Sequence, residues 1–445
     1  MAKRTCRPAA VRNAVPGAGA RCAGNSRGFR FKAIPFWPKQ SRFQRPDRRY
    51  KTSLFVQIMR GAGPVILRID LSDTMNIEGD ICLKKNLLAA AAGIAIVAPG
   101  AAFADAAVYG KFNVGLEDQK FQTTLGGDAA ATVLDSTWKL KDNNNSSRLG
   151  FKGTQDLGSS GLTAIYQLEY GIDPDGNESG GTPLAGVFSE RDIFVGVQGG
   201  FGQLKVGKFN TPVKSFTAKA DFFDDQSIGD DQHLLTGETR ANNLIQYSTP
   251  KFADAFTVAV AFTPGEGRTA LDSAARVDKG IADSLYAAVV YDTKRVYAAV
   301  TYANKEAGSL KFDGATAGVD ILRGAVYVNP VAALEFSALL QQAKGVDQKG
   351  ATNGNQLGGN RKETTFLVGA AYSIDAWKFK AALGQTKGDQ TDVKRDDVSL
   401  DIDYKLGKPL IAQLYYIGYK DKNRTVGGIT DPKSNVTGVA LVYSF

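Results

Sequence analysis

The sequence of residues 105–445 predicts an all-β fold, a sixteen-stranded antiparallel transmembrane β-barrel. Two observations support this fold class. Segments of about ten residues alternate apolar and polar side chains, as half-buried strands do. The connections between the segments alternate between tight turns and long polar loops, a pattern typical of barrels that cross a membrane.

The clearest strand runs from Val398 to Leu406, where even positions are apolar and odd positions are polar or charged. A soluble sandwich alternates in the same way, with its apolar face buried. Segment lengths of about 9–11 residues favour strands that cross a bilayer instead. Tyrosines near strand ends resemble an aromatic girdle and favour the same interpretation. These tyrosines are Tyr302, Tyr327, Tyr372, Tyr415, Tyr416 and Tyr419.

Counting the segments between turn signals gives sixteen strands, an even number that fits a closed barrel with both termini on the periplasmic side. Closure is required because an open edge would leave backbone groups unpaired in lipid. An interior of this width becomes an aqueous channel. The predicted strands are approximately 106–118, 147–155, 162–171, 188–198, 203–209, 242–249, 255–262, 283–292, 294–303, 321–329, 332–344, 363–374, 376–385, 398–407, 409–419 and 435–445.

Residues 83–104 contain the three parts of a secretory signal peptide in order. Lys84 and Lys85 precede an apolar run, a Pro-Gly helix breaker and the cleavage sequence Ala102-Phe103-Ala104. The apolar run has the length of a secretory signal and is too short to cross a bilayer as a helix. We therefore predict cleavage after Ala104, which leaves 105–445 as the mature transmembrane β-barrel domain.

Residues 1–82 form an extra N-terminal tract that we predict is absent from the mature protein. A signal peptide normally stands at the N-terminus, so a tract in front of it does not fit export. Our hypothesis is that synthesis begins at Leu83 through an alternative start codon. The alternative is a transit peptide, because the tract is rich in arginine and poor in acidic residues.

The formal charge of +9 belongs to the N-terminal part of the chain. Residues 1–104 hold 18 of the 54 Lys and Arg but only 5 of the 45 Asp and Glu, which leaves 36 basic and 40 acidic residues in 105–445. Nucleic-acid binding needs a dense basic surface on the folded part, so we expect no nucleic-acid partner.

The residues available for chemistry are few. All three cysteines precede residue 105, and His233 is the sole histidine. The mature part therefore offers no thiolate site, and a transition-metal site is not supported. A hydrolase would need a nucleophile with a histidine base, and no motif accompanies His233. We expect no enzymatic activity, no metal and no cofactor.

Several motifs occur in the order found in a known family. They are Val108-Tyr109-Gly110-Lys111, Arg148-Leu149-Gly150-Phe151-Lys152-Gly153, Phe201-Gly202-Gln203-Leu204-Lys205-Val206-Gly207-Lys208, Asn243-Leu244-Ile245-Gln246-Tyr247-Ser248 and the C-terminal Val439-Ala440-Leu441-Val442-Tyr443-Ser444-Phe445. With these motifs, residues 105–445 resemble the trimeric, sixteen-stranded general-diffusion porins of Gram-negative proteobacteria. Tyr443 and Phe445 are similar to the terminal signal that the outer-membrane assembly machinery reads.

The resemblance implies a third external loop, here Asn210–Arg240, that folds into the barrel and faces a basic wall. By itself, an acidic run in a loop is usually only solvated. With the resemblance, we expect a pore constriction between this loop and the wall. The acidic loop residues are Asp221, Asp224, Asp225, Asp230 and Asp231, and the basic wall residues are Arg148, Lys152, Lys208 and Arg240. The Pro-Glu-Phe-Gly motif of the enteric branch is absent, so the sequence does not define which acids line the pore.

The expected function is passive diffusion of ions and small hydrophilic solutes across the outer membrane of a Gram-negative bacterium, with a weak cation preference. The expected partners are two further copies in a homotrimer, outer-membrane lipid and lipopolysaccharide, and the assembly machinery. A porin specific for sugars or anions is the nearest alternative. A structural or adhesive barrel is another, although sixteen strands leave a channel rather than a filled interior.

Overall fold

The computed structural model describes residues 53–60, 63–70, 106–125, 132–175, 188–265, 280–312, 318–346, 361–390, 392–426 and 429–445. The chain divides into two units, Met1–Ala91 and Ala92–Phe445. The predicted signal peptide, 83–104, lies outside the described residues, and its cleavage stays a prediction.

The first unit contains an antiparallel hairpin of β1 (Ser53–Arg60) and β2 (Gly63–Asp70). Ser53 lies opposite Asp70, and Arg60 lies opposite Gly63. The sequence analysis did not anticipate a hairpin in this tract. The absence of residues 1–82 from the mature protein stays a prediction.

The second unit is a closed antiparallel barrel, as the fold class predicts. Neighbouring strands in the ring follow one another along the chain, and the last strand pairs with the first. The strand segments are β3 (Ala107–Leu125), β4 (Thr132–Asp142), β5 (Arg148–Asp156), β6 (Thr163–Ile172), β7 (Phe188–Gly199), β8 (Gly202–Asn210), β9 (Arg240–Ser248), β10 (Phe256–Thr263), β11 (Ser284–Asp292), β12 (Val296–Glu306), β13 (Val319–Val331), β14 (Leu334–Gly345), β15 (Lys362–Ile374), β16 (Trp377–Gly388), β17 (Lys394–Lys405), β18 (Leu410–Lys422), β19 (Thr425–Val426) and β20 (Ile429–Ser444).

These segments make sixteen barrel strands in the described part of the chain, because two strands are interrupted. β4 and β5 both pair with β3, one beyond the other. β18 and β19 both pair with β20 in the same manner. The predicted strand bounds 106–118 and 147–155 are wrong in this respect, since the stretch left between them contains the end of β3 and all of β4. The Asn-rich stretch 143–145, which interrupts the strand, hides its continuity in the sequence.

The barrel exposes apolar side chains on one face and encloses polar ones on the other. In β17, Leu400 is 49% exposed, whereas the adjacent Asp401 is 2% exposed. Leu383 on β16 and Val439 on β20 are exposed in the same way, with Ala382 and Ala440 buried beside them. A soluble sandwich would bury the apolar face. The apolar side chains therefore face outward, as a barrel surrounded by lipid requires.

Aromatic rings gather where the short turns join the strands. Trp377 packs against Tyr404 with ring centroids 4.4 Å apart, and Tyr443 packs against Phe445 at 5.8 Å. The predicted girdle is correct in part, because Tyr302, Tyr372 and Tyr416 are exposed. Tyr415 is instead buried on the polar face, where its hydroxyl donates to Glu117. No described helix combines the length and apolar character needed to cross a membrane.

Candidate pore constriction

The segment 211–239 connects β8 to β9, which are neighbours in the ring. Its two ends are held together by a hydrogen bond from the Thr211 N–H to the Thr239 carbonyl, 3.2 Å long. Within it lie helix α1 (Pro212–Ser215) and three short 3-10 turns. Pro212 occupies the first turn of α1, where no backbone N–H is needed.

Aspartates organise the interior of this segment by accepting backbone N–H groups. Asp221 accepts from Phe223 at 2.7 Å and from Asp231 at 3.0 Å. Asp230 accepts from Asp225 and Gln232, each at 2.9 Å. Short acidic side chains favour such local bonds over helix or sheet. The sequence thus folds locally into a compact loop rather than an extended strand.

On one side, the segment meets the wall at β3 and β5. Lys111 and Arg148 lie directly opposite each other in the β3–β5 pairing. Both reach the same oxygen of Asp225, each at 2.8 Å. Asn144, in the break between β4 and β5, donates to Asp230 at 2.6 Å. The interrupted strand therefore supplies contacts that a continuous strand would not.

On the other side, the segment meets β13 to β17. Arg323 on β13 donates to the Thr217 hydroxyl at 3.0 Å and to the Thr236 carbonyl at 2.8 Å, and it pairs with Glu238. Glu363 on β15 accepts from the Thr236 hydroxyl at 2.9 Å. Both wall residues are fully buried. Apolar side chains complete this contact, and they are Ala220, Phe223, Leu234 and Leu235 of the segment against Ala325, Leu339, Leu367 and Ala382 of the barrel.

A polar cavity of about 580 Å³ adjoins the Asp225 side of the segment. Six of the predicted constriction residues line it, namely Arg148, Lys152, Arg240, Asp224, Asp225 and Asp230. Lys152 lies over the Tyr109 ring at 4.7 Å, and Arg240 pairs with Asp192 at 2.5 Å. Asp221 and Asp231 lie behind this lining, inside the loop's own hydrogen bonds.

Lys208 is not brought to this group. It lies opposite Ile193 in the β7–β8 pairing, on the same face as Val206 and the 60%-exposed Val195. Its ammonium pairs with Glu190 at 3.0 Å. The residues one position away, such as Phe209, face the buried side. The family correspondence pointed to Lys208, but strand alternation turns its side chain to the exposed face.

Three basic residues of the cavity lining were not anticipated from sequence: Lys111, Arg191 and Lys214. Lys111 belongs to the motif that carried the resemblance, and its alternation with Phe112 could have identified it. Arg191 pairs with Glu169 at 2.6 Å, next to a register shift between β6 and β7. A bulge changes which residues share a face, so alternation alone could not identify Arg191.

The acids of segment 211–239 differ in pKa because they differ in burial and in their charged neighbours. Burial and the neighbouring carboxylates, among them Glu238 beside Asp231, raise the pKa of Asp221 and Asp231 well above the ordinary value. Burial and Asp224 raise the pKa of Asp230 to about 6. Burial opposes ionisation of Asp225 as well, but Lys111 and Arg148 outweigh it and lower its pKa. Of these four aspartates, Asp225 is the one whose pKa is lowered, so it is held as a carboxylate.

Two groups of carboxylates could share a hard cation, which prefers oxygen ligands. They are Asp221, Asp230 and Asp231, and Asp224, Asp225 and Asp230, with oxygens within 4.8 Å of one another. Lys111 and Arg148 already neutralise the second group at Asp225. His233 does not join either group. Burial lowers its pKa to about 4, and its Nε2 lies 3.3 Å from the Asn144 amide oxygen.

Comparison with known proteins adds relatives from one genus. Over 186 residues, 41% of this chain, the sequence is 28% identical to the major outer membrane protein P.IB of Neisseria gonorrhoeae. Over 178 residues, 38% of this chain, it is 32% identical to the protein of that name from Neisseria meningitidis serogroup B. These matches cover 49% and 47% of the relatives, so the chain matches about half the length of these curated proteins.

The fold is similar to solved outer-membrane channels. The channel DcaP of Acinetobacter baumannii aligns with a TM-score of 0.56 at 14% identity, covering 78% of this chain and 99% of that one. Salmonella typhi OmpF, in complex with daunomycin, aligns with a TM-score of 0.54 at 15% identity, covering 77% and 98%. At such identities, these likenesses show the fold. A family model for Gram-negative porins matches residues 88–425, and the chain therefore belongs to the Gram-negative porin family.

Proposed function

We propose that the barrel forms a water-filled channel for passive diffusion of ions and small hydrophilic solutes across the outer membrane. The observation that carries this proposal is the direction in which the apolar and polar side chains of the strands point. Apolar side chains cover the exposed face of a closed ring, while ion pairs and a polar cavity lie on the other face. Membership of the porin family supports the same function, and porins are channels rather than enzymes.

The narrowest part of this channel is formed by 210–240 and the wall that it faces. Arg148, Lys152 and Arg240, joined by Lys111, provide the basic side, and Asp224, Asp225 and Asp230 provide the acidic side. Opposed charges across a narrow passage create a transverse field that orders water and disfavours apolar solutes. Charged side chains at such close quarters also set ion preference. The shared lining of one 580 Å³ polar cavity by these basic and acidic side chains supports this assignment.

Ion preference follows from the balance of charge around the cavity. Its lining has six basic and five acidic side chains among the described residues. This near balance supports weak selectivity. The cation preference expected from the loop acids alone stays a prediction, and the sign of the reversal potential in a salt gradient decides it.

The proposal is tested in planar bilayers with the purified, refolded protein. A diffusion channel gives discrete conductance steps that increase with salt concentration and show no saturation by sugars or small anions. Saturable block by one such solute would indicate a solute-specific porin. A barrel that inserts without any conductance would contradict the channel.

We further propose the maturation and assembly expected of this family. The mature chain begins at Asp105, assembles as a homotrimer and contacts lipopolysaccharide, and Phe445 contributes to recognition by the assembly machinery. Phe445 exchanges backbone hydrogen bonds with Gly110 at 3.0 and 3.1 Å, which supports a role for this residue in closing the ring. Intact mass and unheated electrophoresis of the membrane protein test the mature start and the trimer.

A further inference from the structure

Two glycines of the barrel wall, Gly369 on β15 and Gly384 on β16, lie where side chains of the segment 211–239 contact that wall. We propose that these two positions determine the width of the channel, because the space beside them sets how far the segment withdraws from the opposite wall. The proposal rests on the diffusion channel proposed above. It makes two residues outside the cavity lining positioning residues for the constriction.

Backbone conformation does not explain a glycine at either position. Both residues lie inside strands, and neither belongs to the glycines with positive φ. Any residue adopts the extended backbone of a strand, and a glycine there weakens the strand because it has no side chain to pack. A glycine inside a strand often marks a site where another part of the chain approaches closely.

A side chain of the segment occupies the space beside each glycine. A β-carbon placed on Gly384 would lie 2.4 Å from Cδ2 of Leu234, and one placed on Gly369 would lie 2.8 Å from Cδ2 of Phe222. Carbon atoms in contact are about 3.5–4.0 Å apart, so either β-carbon would require a displacement of about 1 Å. Among residue types, glycine alone leaves room for these two side chains where they lie.

Leu234 has little freedom to move aside. It is 2% exposed and packs among Leu339, Leu367 and Ala382 of the wall. Leu367 closes the other side of the space, since its Cδ1 would lie 3.2 Å from the β-carbon placed on Gly384. The Thr386 hydroxyl, two residues further along β16, donates to the Leu234 carbonyl at 2.9 Å. A larger side chain beside Leu234 would therefore displace the main chain of the segment.

This displacement would narrow the channel. Asp230 and Gln232, which shortly precede Leu234, line the 580 Å³ cavity. The wall of the cavity includes residues of β3, β5, β6 and β7, whereas no described residue of β15 or β16 lines it. The segment therefore lies between the cavity and the two glycines. Movement away from the glycines is movement toward the wall formed by β3 and β5 to β7.

The test measures single-channel conductance of the full protein in planar bilayers, for wild type and Gly384→Val. A shift of about 1 Å into a narrow passage should lower the conductance by roughly a third and leave the open level equally quiet. The size limit for neutral polyethylene glycols should fall in parallel. A substitution that merely destabilised the contact would loosen the segment instead. An unchanged conductance, or a larger and noisier one, would overturn the proposal.

An exchange of volume across the contact gives the first control. Gly384→Val adds a β-carbon and two methyl groups, and Leu234→Ala removes as many carbon atoms. Swaps that conserve volume are tolerated best, so the double variant should return to wild-type conductance. A double variant with conductance as low as that of Gly384→Val would contradict a steric effect through Leu234.

A matched glycine gives the second control. Gly324 lies inside β13 without a positive φ, and a β-carbon placed on it would meet no atom within 4 Å. Gly324→Val should therefore conduct like wild type, and an equal loss there would assign the effect to valine in a strand. Gly384→Ala adds the β-carbon alone and should lower conductance by a smaller amount, so it decides the question if the valine variant does not refold.

Electron cryomicroscopy separates this proposal from the channel itself. In Gly384→Val, the main chain at Leu234 should lie about 1 Å farther from β16, and its carbonyl should lose the 2.9 Å hydrogen bond from Thr386. A main chain that has not moved would overturn the proposal, whatever the conductance. A wild-type barrel without conductance would contradict the proposed channel alone, because the displacement of the segment can still be observed.

Discussion

The segment 211–239 meets the barrel wall in two contrasting ways. At β3 and β5, Asp225 shares its carboxylate between Lys111 and Arg148 beside a polar cavity. At β13 to β15, Arg323 and Glu363 are fully buried and hold the segment through hydrogen bonds. Charges beside water remain available to act on passing ions, whereas buried charges fix the position of the chain.

The energies of the two contacts should differ accordingly. Removing one member of a buried ion pair costs about 3–5 kcal/mol, because its partner stays desolvated and unpaired. Asp225 at the cavity is also buried, but the side chains of its partners Lys111 and Arg148 remain 19% and 22% exposed, so water reduces the cost of leaving them unpaired. Substitutions at β13 should thus affect mainly stability and loop order, and substitutions at the cavity should affect selectivity with a smaller loss of stability.

The largest effect is expected for Arg323→Ala. The substitution leaves Glu238 buried without its guanidinium partner and frees the Thr236 carbonyl. The barrel should lose about 3–5 kcal/mol of stability. Single-channel records should also show a larger, noisier conductance as the segment loosens.

A double variant serves as the control for this anchor. Arg323→Met with Glu238→Leu removes both charges of the pair and should regain part of the stability, since a buried pair can be replaced by apolar groups, while Lys214 loses its 3.4 Å contact with Glu238. If Arg323→Ala unfolds at the same temperature as wild type and its conductance is equally quiet, Arg323 does not anchor the segment.

A change of selectivity is expected for Asp225→Asn. Lys111 and Arg148 would then face the cavity without their shared carboxylate, and the reversal potential should move toward anions. Arg148→Gln should move it toward cations. Both shifts should shrink between 0.1 M and 1 M salt, because the screening length falls from about 10 Å to about 3 Å. Shifts that persist at 1 M salt, or an unchanged potential, would place the selective charges elsewhere.

A smaller effect should follow pH through Asp230. Its pKa is raised from 3.8 to about 6, so the protonated form favours the folded segment, and this contribution is complete below about 3.8 and is lost as pH rises through about 6. Lowering the pH from 7 to 5 removes a negative charge from the lining, and the reversal potential should move toward anions. In Asp230→Asn, this pH-dependent shift should disappear; its persistence would assign the titration to another group.

The smallest effect is expected for Lys208→Gln. Because Lys208 shares a face with Val206 and pairs with Glu190, its charge should not act on the channel. Conductance and reversal potential should match wild type. A shift toward cations would restore Lys208 to the constriction and contradict the strand register.

The barrel could be predicted from sequence because each strand in lipid follows one strict rule: apolar residues that face outward alternate with polar residues that face inward. Val398 to Leu406 shows this rule in full, and the structure exposes Leu400 while burying Asp401. The rule fails where the strand is irregular. The break at Asn143–Asn145 concealed β4, and the register shift beside Arg191 removed that arginine from any alternating pattern.

The candidate site was less accessible to sequence reasoning. Arg148 and Asp225 were identified, but nothing local distinguishes Arg323 from other charged residues on the polar face of a strand. Its role depends on Thr217, Thr236 and Glu238, which are separated from it by 85 to 106 residues. Sequence separation of this size leaves no periodic signal. Lys208 shows the opposite error. The motif match assigned it to the constriction, but strand alternation places its side chain on the exposed face.

Closure of the ring between β20 and β3 has a consequence for the timing of folding. The contact from the Tyr415 hydroxyl to Glu117 joins residues 298 positions apart, and it cannot form until nearly the whole chain has been synthesised. Contacts between such distant residues are slow to form and leave strand edges unprotected meanwhile. Until the last strand arrives, every intermediate has two open edges, so the chain depends on being kept from aggregating during its passage to the membrane.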